Sequence, residues 1–439
     1  MNSSDLVTTA ELIAAPTSID AKGRRVILGA TIGNILEWYD FLVYGLLTLT
    51  IAKLFFPAES ELGSLLLSMA SFGIGLAMRP VGAIVLGLYA DRVGRKSALS
   101  LAIFIMAVGT GLIAIAPTYE SIGIWAPLLI VFARLLQGLS CGGEPGGAIA
   151  LLIESAPAGR RGLYASWQAA SPAGGFLLGA LVTLAITSFM SPAQLEAGGW
   201  RWVFAFGLVI APVGLYIRSQ LDEPELFLKA RNKPVEVAAA DAFRREGQPL
   251  LMGVGISVLF FVGAYLLLVY MPVFAVKQLE LPMSAALVAS IVAASVTFVC
   301  TPIAAAISDR IGRKRMLQPA ALAYLLLAYP AFAALTAWPS LAVLMFVQSV
   351  FGLLLAIYGG PLMAVLAELF PTRMRATAVA FVYNLAAAGM GGFAPFIVTW
   401  LIAATGDPRA PAFYIIASAA ISGTALFWLW DRYEEPLRQ

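Results

Sequence analysis

The sequence contains no histidine and only two cysteines. Without histidine, the chain cannot form a Ser-His-Asp triad, a histidine metal site or a histidine proton relay. The cysteines, Cys141 and Cys300, both lie inside apolar runs, so we expect no disulfide between them. A nucleophilic or metal centre therefore has few residues to draw on, and we expect neither an enzyme nor a bound metal or other cofactor.

Charged residues are also scarce. They make up 12% of the chain, whereas a typical soluble domain carries about 25%. Hydrophobic residues reach 60%, and repeated apolar runs of about 20 residues indicate membrane-spanning helices. A net charge of +3 is too small to indicate a nucleic-acid partner. Because of the apolar runs, the expected surroundings of the chain are a lipid bilayer.

Twelve apolar runs predict an all-α membrane protein with twelve transmembrane helices. The first six runs lie near Val26–Ala52, Leu62–Ala90, Ala98–Ala116, Ile122–Ile153, Leu163–Phe189 and Trp202–Ile217. The second six lie near Leu250–Val276, Pro282–Ile307, Met316–Ala337, Leu341–Leu366, Thr377–Ala404 and Ala412–Trp430. The predicted organisation is a tail (1–25), a six-helix bundle (26–217), a linker (218–249), a second bundle (250–430) and a tail (431–439).

Lys and Arg are distributed unequally between the two sides of the predicted membrane. Cations collect in both tails, the linker and alternate loops, and the opposite side holds only Lys53, Arg201, Lys277 and Arg409. Because cytoplasmic loops carry an excess of Lys and Arg, both termini and the linker are predicted to face the cytoplasm.

Two loop motifs occur once in each half of the chain. Asp91–Lys96 (Asp-Arg-Val-Gly-Arg-Lys) recurs as Asp309–Lys314 (Asp-Arg-Ile-Gly-Arg-Lys). The pattern Glu-x-x-Pro-x-x-x-Arg occurs at Glu154–Arg161 and again at Glu368–Arg375. Both pairs fall in equivalent loops, which predicts two parallel-repeat bundles, the plan of one large class of transporters.

These motifs resemble a known family. Gly87–Lys96 resembles the signature loop of the major facilitator superfamily, and Arg134–Gly138 (Arg-x-x-Gln-Gly) resembles its fourth-helix motif. A narrower resemblance covers nearly the whole chain and is to the metabolite–proton symporters, through Gly33–Phe41, Arg79–Gly82, Gly142–Glu144 and Gly199–Arg201. Within that family, the citrate and tricarballylate members are most similar at Phe55–Glu61, Ser166–Gln168 and Thr405–Asp407.

The resemblance implies a major facilitator fold and proton-coupled symport of a small organic anion by alternating access, with a di- or tricarboxylate such as citrate as the expected substrate. Shikimate, ketoglutarate and zwitterions such as betaine or proline are alternatives, because the family also carries them; a non-transporting receptor is a remote one. We further expect a monomer in the bacterial inner membrane. The chain has no Gly-x4-Gly-Lys-Ser/Thr loop, which argues against ATP-driven transport.

The sequence departs from the family at two points. Pro145 follows Glu144 where many members have Tyr or Leu, and the second half has no cation inside a predicted span, although several organic-anion members have one. The first half is therefore expected to supply the charged side chains of the site, and the second half uncharged side chains that form hydrogen bonds.

Three carboxyls inside the predicted spans are the proton-coupling candidates: Glu37, Asp40 and Glu144. A charge inside a span costs about 2.5–3.5 kcal/mol, so such residues indicate function. At roughly 1.5 Å per residue, Glu37 and Glu144 lie about 15–16 Å from the cytoplasmic side, near the bilayer centre. A carboxyl in such a low-dielectric layer can hold a proton near neutral pH and release it when a cation or water approaches.

Two arginines, Arg79 and Arg134, are the predicted ligands of a substrate carboxylate. The alternative is structural: a static ion pair such as Arg79 with Asp40, or bracing of the fourth span by Arg134. Further substrate-binding candidates share an uncharged hydrogen-bonding side chain, although each tyrosine can instead serve packing; they are Asn34, Gln137, Gln168, Tyr265, Gln348, Tyr358, Tyr383 and Asn384.

Charged residues at the cytoplasmic helix ends are predicted to gate the transporter. Asp91 and Asp309 can bond helix N-termini or arginines of the opposing half, and such bonds exist in only one conformation. The alternative is that these charges only set the topology. The full set is Asp91, Arg92, Arg95, Lys96, Glu154, Arg161, Asp309, Arg310, Arg313, Glu368 and Arg375.

The predicted topology is tested by single cysteines introduced at Ser3 and Ser191. A membrane-impermeant maleimide applied outside cells should label Ser191→Cys and leave Ser3→Cys unlabelled until the membrane is opened, because the cation bias places them on opposite sides. The unmodified chain controls for its own two cysteines. Labelling of both positions from outside contradicts this topology.

Overall fold

The described structure is helical throughout its regular elements. It is a computed structural model that describes residues 21–93, 95–219, 246–372 and 374–438, and its regular elements in these ranges are all helices. The first twenty residues of the predicted N-terminal tail, and residues 220–245 of the predicted linker, lie outside the described residues.

Helices occupy all twelve predicted positions, which we number as spans 1–12. Spans 1–6 are Ala21–Leu46 with Thr48–Phe55, Glu61–Ala77 with Arg79–Val93, Arg95–Ile115, Trp125–Gly142 with Pro145–Glu154, Arg161–Ser188 and Arg201–Ser219. Spans 7–12 are Gly247–Lys277, Met283–Ile311, Lys314–Ala337, Leu341–Leu369, Arg375–Thr405 and Ala410–Phe427. Spans 1–6 form the first half and spans 7–12 the second half.

Length and apolarity agree with a membrane location. Among the described residues, nine helices are long and apolar enough to cross a membrane, and the pair of helices in span 1, bent by 61°, makes a tenth. The other two helices occupy the third and sixth predicted positions, and the third contains a shorter apolar stretch, Ser100–Ile115.

Breaks in spans 2 and 4 bring charged residues to helix ends. Span 2 is interrupted at Met78, and Pro80 occupies the first turn of the helix that Arg79 begins. Span 4 is interrupted at Gly143 and Glu144, directly before Pro145. Proline fits the first turn of a helix, where its missing N–H is not needed, but it disrupts the preceding turn. The local sequence therefore explains both breaks.

The two halves meet through spans 1, 2, 4 and 5 of the first half. Span 5 contacts spans 8 and 10, spans 2 and 4 contact span 11, and span 1 contacts span 7. Glycines permit close approaches: a side chain at Gly146 would collide with Ala376 and Ala380 of span 11, in the other half, and within the first half one at Gly138 would collide with Gly75. Such small-residue contacts are the usual way in which membrane helices pack closely.

Candidate functional site

Arg79 lies at the interface of the two halves. Its side chain is buried, with 1% of the residue exposed. Nε donates a hydrogen bond to Oδ1 of Asn384 on span 11 at 3.0 Å, and Nη2 donates to the carbonyl oxygen of Cys141 on span 4 at 3.3 Å. The guanidinium group therefore connects the first half to the second.

Aromatic rings flank the same guanidinium group. The Arg79 Cζ atom lies 5.3 Å from the centre of the Trp38 ring and 5.5 Å from that of Tyr383. The negative faces of aromatic rings attract a cation, and the attraction strengthens when water is excluded. Trp38 comes from span 1 and Tyr383 from span 11, so the rings also belong to different halves.

Glu37, one of the three predicted proton-coupling carboxyls, lies beside Arg79, and Glu144 lies close to two neighbours of Arg79. The Cys141 thiol donates a hydrogen bond to Glu37, and the Glu37 charge acts on the Arg79 guanidinium. Glu37 and Glu144 are both close enough to act electrostatically on Cys141 and Tyr383. The structure therefore gathers two acids and one arginine at the breaks in spans 2 and 4.

Three buried donors at this site have no hydrogen-bond partner among the described residues: Arg79 Nη1 and the hydroxyls of Tyr265 and Tyr383. Tyr265 packs edge-on to Phe72 and contacts Trp38, both in the first half. Leaving a buried donor unpaired costs about 1–3 kcal/mol, and more for a charged one. A carboxylate, which offers several acceptor sites, is a suitable partner for such donors.

Asp40 lies apart from this group. It accepts a hydrogen bond from Thr110 of span 3, and the Thr110 hydroxyl accepts one from Gln137 Nε2 at 2.9 Å. Gln137 Oε1 in turn accepts from Arg134 Nη1 at 2.7 Å. The described ion pairs do not include one between Arg79 and Asp40, so the alternative of a static pair between them is not what this structure contains.

Arg134 is enclosed by aromatic rings inside the first half. Its Cζ atom lies 4.0, 4.5 and 5.0 Å from the ring centres of Phe41, Tyr44 and Phe72. Nη1 donates to Gln137, while Nε and Nη2 have no hydrogen-bond partner among the described residues. Arg134 and Asp40 thus end a chain of hydrogen bonds that runs through spans 1, 3 and 4.

The remaining substrate-binding candidates fall into two groups. Tyr358 donates to the carbonyl of Ile256 at 2.7 Å, and Gln348 accepts from Ser290 at 3.0 Å, so both tie helices together within the second half. Asn34 and Gln168 are buried in the first half, and their amide nitrogens have no hydrogen-bond partner among the described residues.

Asp309 joins the halves at the predicted cytoplasmic end. Its carboxylate accepts hydrogen bonds from the backbone N–H groups of Gly162 at 2.8 Å and Leu163 at 2.9 Å, in the first turn of span 5. A helix N-terminus carries partial positive charge and favours an anion. Asp309 also pairs with Arg313 at 2.6 Å, and Arg313 pairs with Glu368 at 3.2 Å, while Arg310 is exposed.

A second connection lies beside the first. Arg375 of span 11 pairs with Glu154 of span 4 at 2.8 Å, and Arg161 donates to the carbonyl of Glu435 at 2.7 Å. These bonds again cross between the halves. The side chains of Asp91, Arg92, Arg95 and Lys96, the other predicted gating residues, lie outside the part of the structure that is described.

Sequence reasoning missed three participants. Trp38 follows Glu37 directly in the Gly33–Phe41 motif, and Thr110 is a polar residue between two glycines in span 3; both facts are visible in the sequence. The third is the C-terminal tail, where the Arg438 carbonyl accepts from the Thr372 N–H at 2.8 Å and its side chain pairs with Glu246 at 3.2 Å. No periodicity or motif indicates that contact.

Known proteins resemble this chain along its whole length. The family model described as Major Facilitator Superfamily matches residues 30–329 and 296–439. A citrate-proton symporter of Klebsiella pneumoniae is 37% identical over 418 residues, 94% of this chain and 93% of that protein. The ectoine/proline transporter ProP of Corynebacterium glutamicum is 34% identical, covering 95% of this chain and 86% of its own length.

A solved structure shows the same fold. The proton:xylose symporter XylE, with bound 6-bromo-6-deoxy-D-glucose, superposes with a TM-score of 0.77 at 21% identity, over 96% of this chain and 98% of that chain. The chain therefore has the major facilitator fold that its motifs predicted.

The bonds of Asp309 generate a prediction about the cytoplasmic ends. Asp309→Asn should lengthen the distance between spin labels at the exposed positions Ala158 and Arg315, because a neutral amide holds the N-terminus of span 5 less strongly than a carboxylate does. The measurement is the label-to-label distance distribution by pulsed electron spin resonance.

The control for this change is Asp407→Asn. Asp407 is also hydrogen-bonded by an arginine, Arg409, but within its own loop rather than across the halves. It should leave the distance distribution unaltered. An unaltered distribution in Asp309→Asn as well contradicts a gating role for Asp309.

Proposed function

The chain belongs to the Major Facilitator Superfamily, and on that basis we propose that it carries a small organic anion together with a proton by alternating access. Membership confirms the resemblance predicted from the loop and fourth-helix motifs. The substrate and the coupling ion belong to the proposal.

One observation carries the proposal: a fully buried arginine at the interface of the halves, with unpaired donors around it. Arginine presents a planar set of N–H groups that matches a carboxylate, and its charge is permanent. Arg79 already donates to Asn384 and Cys141, and Nη1 together with Tyr265 and Tyr383 can receive a carboxylate. Contacts from both halves allow one ligand to influence whether they close.

We infer a di- or tricarboxylate such as citrate as the substrate. Two relatives named as citrate-proton symporters, from Klebsiella pneumoniae and Salmonella typhi, are 37% and 36% identical to the chain. Arg79 supplies one carboxylate contact. Arg134 is expected to contribute less, since it lies within its aromatic enclosure in the first half.

A zwitterion is the second candidate, and a specific observation favours it. Glu37 lies beside the arginine, Glu144 lies near Tyr383, and the Trp38 and Tyr383 rings flank the site, so a substrate with one carboxylate and one ammonium group also finds partners for both charges. Relatives named as proline, betaine and ectoine transporters match the chain at 29–34% identity. Shikimate and ketoglutarate remain alternatives within the carboxylate class.

The charge balance supports a proton as the coupling ion. Glu37 and Glu144 both act on Cys141 and Tyr383 in a low-dielectric layer, and two carboxyls held near each other there disfavour being ionised together. At least one is therefore expected to be protonated in part of the cycle. Asp40 lies in the separate chain through Thr110, which makes it the third candidate for the proton.

Proposed surroundings follow from the family. The expected location is a bacterial inner membrane with both termini cytoplasmic, and the expected form is a monomer that needs only its substrate, a proton and lipid. The cytoplasmic bonds of Asp309 and Arg375 are the proposed gate, because they join the halves at a level away from Arg79.

Arg79→Gln should weaken binding of citrate by about ten- to a hundredfold, the loss expected when a charged hydrogen bond of about 1.5–3 kcal/mol is removed. Arg134→Gln should weaken it less, because Arg134 lies inside the first half. Isothermal titration of the purified proteins gives the dissociation constants. Arg409→Gln, on an exposed loop, is the control; unchanged binding in both buried variants means that the arginines are structural.

Proton coupling predicts that uptake accelerates with an inward proton gradient, stops with a protonophore and needs no sodium. Replacing the coupling acid should abolish uphill uptake but retain exchange of substrate for substrate, because exchange does not require the proton to be released. The measurement is labelled-citrate uptake into proteoliposomes with Glu37→Gln, Asp40→Asn and Glu144→Gln. Gradient-driven accumulation in all three variants contradicts this assignment.

A further inference from the structure

Pro145 cannot donate the helical hydrogen bond that the Cys141 carbonyl in span 4 would otherwise accept. In an α-helix the carbonyl of residue 141 accepts from the N–H of residue 145, but proline has no N–H. The Cys141 carbonyl instead accepts from Arg79 Nη2 at 3.3 Å. This departure of the sequence from its family therefore has a direct consequence at the site.

Asn384 completes a set of bonds around the same guanidinium group. Its Oδ1 accepts from Arg79 Nε at 3.0 Å, and its Nδ2 donates to the carbonyl of Gly142 at 2.8 Å. Asn384 is fully buried and comes from the second half, whereas Arg79, Cys141 and Gly142 come from the first. The amide thus bridges the halves and uses both of its polar atoms.

A permanent charge makes these bonds necessary. Arginine cannot lose its proton inside a protein, so a closed transporter without substrate must still offer Arg79 acceptors. The Asn384 and Cys141 oxygens provide two, and both are neutral, so a carboxylate that displaces Asn384 gains a stronger, charge-assisted bond.

We propose that Asn384 occupies, in the empty closed transporter, the position on Arg79 that a substrate carboxylate takes in the loaded one. The inference rests on the proposed function, because it assumes that the substrate reaches Arg79. In this role Asn384 permits the halves to close around a site without substrate. The unloaded transporter can then reorient so that its site faces the other side of the membrane.

The proposal separates two transport modes. Net efflux requires the unloaded transporter to reorient, whereas exchange of substrate for substrate does not. Removing the Asn384 amide should therefore slow net efflux and leave exchange largely intact. A merely structural amide predicts that both rates fall together.

The first experiment compares Asn384→Leu with Thr399→Val in proteoliposomes loaded with radiolabelled citrate at equal pH on both sides. Thr399 lies on the same span and also contacts the first half, through Met69 Sδ at 3.0 Å, but not Arg79. In Asn384→Leu, net efflux should fall about tenfold or more relative to exchange, the effect of losing one hydrogen bond to a buried charge. In Thr399→Val, the ratio should stay near that of the parent.

The fall in this ratio relative to the parent should be similar at each pH, because an amide does not titrate. This feature distinguishes Asn384 from a coupling acid, whose removal alters the same two modes in a pH-dependent way. The proposal is overturned if Asn384→Leu lowers the rates of net efflux and exchange equally. It is also overturned if the selective loss of net efflux disappears when the pH is changed. Absence of citrate exchange in the parent chain instead counts against the proposed substrate.

A second measurement needs no substrate. Cys141 is 3% exposed in this structure, so its alkylation by N-ethylmaleimide reports opening of the site. In a Cys300→Ser background, Asn384→Leu should raise the rate several-fold over Thr399→Val, because the empty closed state loses an inter-half bond. Pro145→Ala should act in the same direction and serves where Asn384→Leu folds poorly, because the restored N–H competes for the Cys141 carbonyl. Unchanged rates in both variants overturn the proposal.

Discussion

The buried charge of Arg79 is the constraint on which the arrangement of the central site depends. A guanidinium group that cannot be neutralised must be hydrogen-bonded wherever water is excluded. The break in span 4, the amide of Asn384, and the rings of Trp38 and Tyr383 all meet that need from different helices. Because the partners come from both halves, the hydrogen bonds of this one side chain depend on how the two halves of the molecule are arranged.

Polar contacts join the halves at several levels. One group surrounds Arg79, another consists of the helix-end bonds made by Asp309 and Arg375, and Lys277 of span 7 pairs with Glu61 of span 2. Close packing also joins the halves where Gly146 faces span 11. Span 4 carries Glu154 and also borders Arg79, and we propose that it links closure at the helix ends to occupancy of the central site.

Hydropathy and the repeated loops were sufficient to predict twelve helices in two repeated halves, because the cost of exposing polar backbone to lipid leaves few alternatives, and the loop and fourth-helix motifs added the resemblance to the major facilitator fold. The partners of each charged side chain were not predictable. Glu37 and Asp40 lie within one turn, yet Glu37 interacts with Cys141 and Arg79 while Asp40 bonds Thr110, since three residues of a helix turn the side chain by about 60° from alignment. The bond between Arg79 and Asn384 depends on how the halves dock, which no local pattern encodes.

Counterflow tests the central claim most directly, because it requires only the protein, a membrane and a substrate. Proteoliposomes containing the unmodified chain are loaded with unlabelled citrate and diluted into trace radiolabelled citrate, in parallel with shikimate, ketoglutarate, proline and betaine. The account predicts transient accumulation of label for citrate or another carboxylate, without ATP or an imposed gradient. Counterflow of betaine or proline alone would contradict an anion substrate, and its absence for every compound would contradict the assignment of this site to carboxylate transport.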